Sequence, residues 1–291
     1  KSPIRPISFD RELEAQSPSN ASFPLRPCQT ARSGRHMPEL GGYYPLLRRG
    51  TVGPSGTPLP HDLYALTIAT DRPSSYTVSD LTPTSITLQG REGGRAVTKR
   101  FSLSDRAPYI LDVDITGAEV GMQLTSGLPE VEIVSGASLP SLSYYSVEGG
   151  KAGAHKIKPP KKMPLIDGST RPNWVANGNG FFGLILDHRV PAPAGFTAKK
   201  VSGDVAPTRL TLIDAKHTAY PADRYPGYQL SLPLASGSHS LRLFAGPYDT
   251  AILKSVLAAL EHPSTGAMHK YIAAKSSHSW LSFISEPFAK F

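Results

Sequence analysis

Tyr109-Ile110-Leu111-Asp112-Val113-Asp114-Ile115 places large apolar side chains at 109, 111, 113 and 115, with carboxylates at 112 and 114. Successive side chains of a strand point to opposite faces of a sheet, so this period of two predicts a strand with one face in a core. The period continues upstream. Thr84 to Leu88 alternates through Ile86 and Leu88, Arg91-Glu92-Gly93-Gly94 supplies a turn, and Val97, Phe101 and Leu103 carry the alternation back. That pattern predicts a β-hairpin. Downstream, short strands are expected at Val131 to Val134, Leu142 to Val147, Phe181 to Leu186, Phe196 to Val201, Leu210 to Ile213, Tyr228 to Leu232 and Leu241 to Phe244. Asn177-Gly178-Asn179-Gly180 is a further hairpin turn, because Asn and Gly tolerate positive φ. A string of short strands between about 61 and 244 predicts two packed antiparallel sheets.

Composition agrees. The 291 residues carry 28 prolines and 26 glycines, nearly a fifth of the chain, without a Gly-X-Y period. This argues against both a helical bundle and collagen. An apolar content of 39% with 19% charged residues fills a core and excludes a wholly disordered chain. The longest strictly apolar run, Phe181 to Leu186, is far short of the roughly 20 residues that a membrane helix needs. The chain opens at Lys1 without an initiating Met or a signal-like start, so any native targeting segment is expected to lie outside it. The single cysteine, Cys28, allows neither an internal disulfide nor a multi-Cys zinc site.

Residues 1–44 are irregular, with proline at 3, 6, 18, 24, 27 and 38, and read as a tail or edge extension. Gly41 to Leu47 is the first segment able to dock on a core. Lys151, Lys156, Lys158, Lys161 and Lys162 cluster around Pro159-Pro160. Such a run reads as a solvated loop between strands or as a contact for an anionic surface. Nucleic acid is not expected, since the run has no interleaved aromatics and no recognisable binding motif.

The last 45 residues differ in kind. Pro247 suits a first helical turn and Asp249 a helix N-terminus. Ile252, Leu253, Val256, Leu257 and Leu260 fall on one helical stripe, which predicts a helix from Asp249 to Glu261 docked on the sheets. His262-Pro263 stops it, and a second short helix is expected from Ala267 to Lys275. Trp280, Leu281, Ile284, Phe288 and Phe291 then recur at near-helical spacing. Core packing is the ordinary meaning of such a stripe; its aromatic content also suits a helix lying at a membrane surface.

Catalytic chemistry finds little support. Nine histidines are dispersed without His-x-His or His-x-x-x-His spacing, and no Gly-x-Ser-x-Gly elbow or Walker A loop occurs. No metal, cofactor or catalytic residue is expected. A sugar-modifying enzyme or carbohydrate-binding module on a mutarotase-like sandwich remains an alternative. His188, His217 and Glu286 are its only loose candidates for converging acid–base groups.

Leu243-Phe244-Ala245-Gly246-Pro247, the amphipathic helix and Ser279-Trp280-Leu281-Ser282-Phe283-Ile284-Ser285-Glu286-Pro287-Phe288 together resemble a known pattern. It is the end of the large periplasmic domain in the YidC/Oxa/Alb family of membrane protein insertases. Trp174-Val175-Ala176 with Phe181-Phe182, and Thr98-Lys99-Arg100-Phe101 with Tyr109 to Ile115, are similar to the family's strands. Ser279 stands where the family usually has Gly. The resemblance covers about residues 45–291.

It implies an antiparallel β-supersandwich, galactose-mutarotase-like, over 45–246, with C-terminal α-helices over 247–291 leading to a transmembrane helix. It implies a periplasmic location at the bacterial inner membrane and no bond-making chemistry. The implied partners are Sec translocon subunits, nascent membrane proteins and the membrane surface. Trp280, Leu281, Phe283, Ile284, Pro287, Phe288 and Phe291 are the implied contact residues. A chaperone-like binder of extended polypeptide is the remaining alternative.

Overall fold

In a computed structural model the chain is described over residues 29–30, 36–37, 60–69, 75–105, 107–129, 131, 140–180, 182–189, 193–206, 218, 221–260 and 271–274. The strands are β1 (Gln29–Thr30), β2 (His36–Met37), β3 (Ile68–Ala69), β4 (Tyr76–Leu81), β5 (Ser85–Glu92), β6 (Arg95–Leu103), β7 (Ile110–Ala118), β8 (Gln123–Thr125), β9 (Ser141–Glu148), β10 (Lys151–Lys156), β11 (Leu165–Asp167), β12 (Pro172–Gly178), β13 (Phe182–His188), β14 (Phe196–Val201), β15 (Gly227–Pro233) and β16 (Gly237–Pro247). Helix α1 (Thr250–Leu260) and a 3-10 turn (Tyr271–Ala274) follow.

One sheet has nine strands in the order β10-β9-β12-β13-β16-β7-β6-β5-β4, and a second has five, β11-β14-β15-β8-β3. Neighbours in both are antiparallel. Among the described residues, strands β1 and β2 pair only with each other. The mostly-β sandwich with a C-terminal helix is the expected fold class.

The period of two explains how the layers meet. Val113 and Ile115 of β7, Leu184 and Leu186 of β13, and Leu241 and Leu243 of β16 pack with Leu124, Ala198, Leu230 and Leu232 of the smaller sheet. The alternate positions Ile110, Trp174, Ala176, Ile185 and Phe244 form a second buried cluster with Leu253 and Val256 of α1. The middle of the large sheet is therefore covered on both faces. That is why Phe181 to Leu186 reads as a continuous apolar run rather than an alternating one.

Two turns are built as the sequence suggests. Gly93 and Gly94, both at positive φ, connect β5 to β6. At the β12–β13 turn, Phe182 N–H donates to Asn179 Oδ1 (2.8 Å) and Asn179 N–H to the Phe182 carbonyl (2.9 Å). Behind it, Gly178 and Gly183 face one another across the strands, and the Tyr248 ring lies over both. A Cβ on Gly183 would collide with Tyr248 Cζ, so that ring requires a bare backbone beneath it.

Several expectations need correction. Tyr109 is not in β7. It sits at φ 63°, half exposed, where its carbonyl accepts from Ala245 N–H (2.9 Å) and its ring packs edge-on to Phe244 (6.2 Å). Pro247 ends β16 instead of opening the helix; its fixed φ and missing N–H suit a strand terminus. The lysine run opens with an edge strand, β10, not a loop. Of the second helix expected from Ala267 to Lys275, the described residues are Tyr271–Ala274, a 3-10 turn; the rest of that stretch lies outside them. Val131 makes a single bridge, while residues 132–139 and the strand expected at Leu210 to Ile213 lie outside the described residues, as does Cys28.

At the far side of the large sheet, Glu92 and Lys99 are buried 3.8 Å apart. Tyr76 donates to Glu92 Oε1 (2.6 Å), and Lys99 Nζ donates to the Leu66 carbonyl (3.3 Å) while lying 4.5 Å over the Tyr76 ring. Buried charges persist when they are both paired and hydrogen-bonded, and this group ties β4–β6 to the segment entering β3.

Candidate functional site

The C-terminal helix is set by its cap. Asp249 Oδ1 accepts from Ala251 N–H (2.8 Å) and Ile252 N–H (3.0 Å), satisfying two of the donors that every helix start leaves open. Leu253 and Val256 are fully buried, and Ile252, Leu257 and Leu260 are half buried. Ala251, Lys254, Ser255 and Ala258 face solvent.

Beneath the helix is an aromatic floor. Trp174, wholly buried, stacks on Tyr145 (centroids 5.6 Å, 14°) and meets Tyr271 edge-on (6.5 Å, 78°). Phe244 contacts both Tyr248 and Tyr271. Among the described residues, the Trp174 Nε1 and Tyr248 hydroxyl are buried without a hydrogen-bond partner.

A polar row crosses the same face. Strand register sets Trp174 opposite Asp187, Asp187 opposite Arg242, and Arg242 opposite Asp112. Arg242 Nε lies 3.4 Å and Arg189 Nη1 3.6 Å from Asp112 Oδ1. Tyr271 donates its hydroxyl to the buried Asp187 Oδ2 at 2.5 Å. Burial, and then the Asp187 carboxylate, push the Tyr271 phenol well above its ordinary range, so it stays a donor. This bond fastens the chain beyond α1 to the sheet. The arrangement positions a segment on the sheet.

His188, at the end of β13, is the one member of the His188, His217 and Glu286 trio among the described residues. Burial lowers its pKa to about 4, with Asp187 opposing the effect and the nearby His239 adding to it. It is therefore neutral at pH 7. The unfolded histidine binds its proton near pH 6.5 and the folded one only near 4, so the unfolded state holds more protons between those values. Stability is expected to fall as pH drops from 6.5 toward 4, by about 3 kcal/mol at full protonation. Urea denaturation at stepped pH measures it, and His188→Gln should flatten that part of the profile.

Among the described residues no group of His, Cys, Asp and Glu is arranged to hold a metal ion. No described helix is long and apolar enough to cross a membrane. Trp280, Leu281, Phe283, Ile284, Pro287, Phe288 and Phe291 lie outside the described residues. The helix positions Ile252, Leu253, Val256, Leu257 and Leu260 are brought together on the aromatic floor. Tyr271 and Asp187 are central to this face and were not expected from sequence. The signal for Asp187 was a carboxylate ending the apolar run Leu184-Ile185-Leu186.

No family model matches the chain. Curated proteins do. "Membrane protein insertase YidC" of Chlamydia caviae is 38% identical over 301 aligned residues, covering 99% of this chain and 38% of that protein. Its namesakes in Chlamydia trachomatis serovar D and Chlamydia muridarum are each 36% identical with the same coverage. This chain is a YidC-family region. It spans well under half the length of the curated relatives it matches. Within this YidC-family region, the sugar-modifying alternative gains no support from the relatives' names.

Proposed function

We propose that this YidC-family region is a non-catalytic interaction module on the periplasmic side of a bacterial inner membrane. It supports the insertion and folding of nascent membrane proteins alongside Sec translocon subunits. The observation that carries this reading is the identity to proteins named as membrane insertases, maintained along 99% of the chain.

The geometry suits an interaction role. The sandwich supplies a rigid body, α1 seats on its outer face, and the Tyr271–Asp187 bond holds the chain just past the helix. Binding needs a preorganised surface more than a reactive group, because ordering a loose segment on contact opposes association. In this division of labour residues 1–44 are an irregular N-terminal segment or edge extension, 45–246 the sandwich, and 247–291 the arm that presents Trp280, Leu281, Phe283, Ile284, Pro287, Phe288 and Phe291 to membrane and partner.

The test is co-purification of the full-length protein with translocon subunits. Trp280→Ala with Phe288→Ala should lower recovery about tenfold or more, since buried aromatic anchors contribute about 2 kcal/mol or more each at interfaces. Recovery equal to that of the unaltered protein counts against the C-terminal contact.

A further inference from the structure

Strands β10 and β11 are consecutive in the chain, and each forms an outer edge of its sheet. The link between them, residues 157–164, is held from below. Ile157 is buried and its N–H donates to the Leu142 carbonyl (2.9 Å), and Pro160 is buried as well. Lys156, Lys158, Lys161 and Lys162 are consequently turned to solvent. Beside them Met163 is 79% and Ile166 75% exposed.

Little along this stretch of chain offsets the charge. Lys151 has Glu148 opposite it across the β9–β10 hairpin, but no acid occurs between 149 and 166. Asp167, the next one, uses its carboxylate on the N–H groups and hydroxyls of Ser169 and Thr170. None of Lys156, Lys158, Lys161 and Lys162 makes an ion pair among the described residues. Lysines on an edge strand deter sheet-to-sheet association. That role explains Lys156, but not basic side chains in the loop beyond the strand, nor large apolar side chains projecting among them.

We propose that Lys156 to Ile166 is a second membrane contact, in which the lysines bind the head groups of an anionic bilayer surface while Met163 and Ile166 enter its outer layer. Charge complementarity selects the partner, and the two apolar tips favour lipid over nucleic acid, whose bases would need aromatic or hydrogen-bonding partners. A buried Ile157 and Pro160 keep the loop shaped before contact, so little ordering opposes binding.

This inference deepens the membrane-side placement proposed above and fails separately from it. The 291-residue chain is mixed with sedimenting vesicles of phosphatidylcholine, with and without about 30 mol% phosphatidylglycerol. Partition onto the anionic vesicles is expected, and should fall at least about tenfold in the Lys158→Gln, Lys161→Gln, Lys162→Gln variant. The three side chains are exposed, so its thermal unfolding should match the parent. Met163→Asp with Ile166→Asp should weaken the binding that survives high salt, where exposed charges are screened. Equal partition onto neutral vesicles overturns the proposal. So does anionic binding that survives the lysine changes and is lost in Trp280→Ala, which leaves the C-terminal contact standing. Binding of a single-stranded oligonucleotide through these lysines, without vesicle partition, also overturns it.

Discussion

Replacing Trp174 by alanine is expected to lower the unfolding free energy by about 3–5 kcal/mol, the range for truncating a large buried aromatic. Its ring is fully enclosed, stacked on Tyr145 and touched by Tyr271, so no side of the resulting cavity opens to water. The loss has two parts. The transfer free energy of the buried indole is forfeited, and the walls of the void lose their contacts. Because Trp174 stands across from Asp187, the cavity also loosens the strand that receives the Tyr271 hydroxyl. Protease cleavage beyond Leu260 should rise along with the drop in urea midpoint. Trp174→Phe supplies the contrast. The indole Nε1 is buried without a partner among the described residues, so phenylalanine removes an unsatisfied donor while keeping a stacking ring. It should cost far less than alanine. Equal losses in the two variants, or a loss under about 1 kcal/mol in Trp174→Ala, would remove the aromatic floor from the account.

Sequence carried the sandwich because period-two alternation is local. The β5–β6 hairpin and strands β9, β13, β14, β15 and β16 lie where the alternation and turns placed them, within a few residues. It did not carry the assignment of faces. Ile110 and Phe244 look like interruptions of a one-sided pattern, yet they line the second buried surface under α1. Whether a strand is covered on one face or two depends on a helix more than a hundred residues away from β7, and no window of sequence contains both. Short strands with weak patterns were also lost. β4 has five exposed positions of six, and β11 has only three residues, so their pairing partners define them more than their composition.

The helix stripe was legible for the same reason as the strands, since Leu253 and Val256 sit at helical spacing. Its cap was visible too, although Pro247 suggested an earlier start than Thr250. The polar members were harder. Asp187, Glu92 and Lys99 are charged types that a composition-based reading leaves on the surface, and all three are buried. Each is held there by partners remote in sequence: Tyr271 lies 84 residues from Asp187, Tyr76 lies 16 from Glu92, and Leu66 lies 33 from Lys99. A buried charge becomes intelligible only once its partner is known.

Val256→Asp is expected to detach α1 from the sheet while leaving the two-sheet core folded. Val256 is wholly buried among side chains of the second cluster, and the buried Asp187 carboxylate belongs to the same face. A new carboxylate there would be desolvated, so docking should weaken by about 3–4 kcal/mol, at the level where an uncompensated buried charge outweighs local packing. The contacts between the two sheets are not involved: the cluster built on Val113, Leu184 and Leu243 shares no residue with the surface under the helix. Far-UV circular dichroism should therefore keep its β signal while proteolysis within 250–260 accelerates. Lys254→Asp, on the exposed side of the same helix, should change neither. If α1 orients the arm that follows it, translocon recovery by the full-length protein should drop with Val256→Asp and hold with Lys254→Asp. Release of the helix with undiminished recovery would mean that the contact residues reach their partner without the sandwich directing them, and the rigid-presentation role of this domain would have to be abandoned.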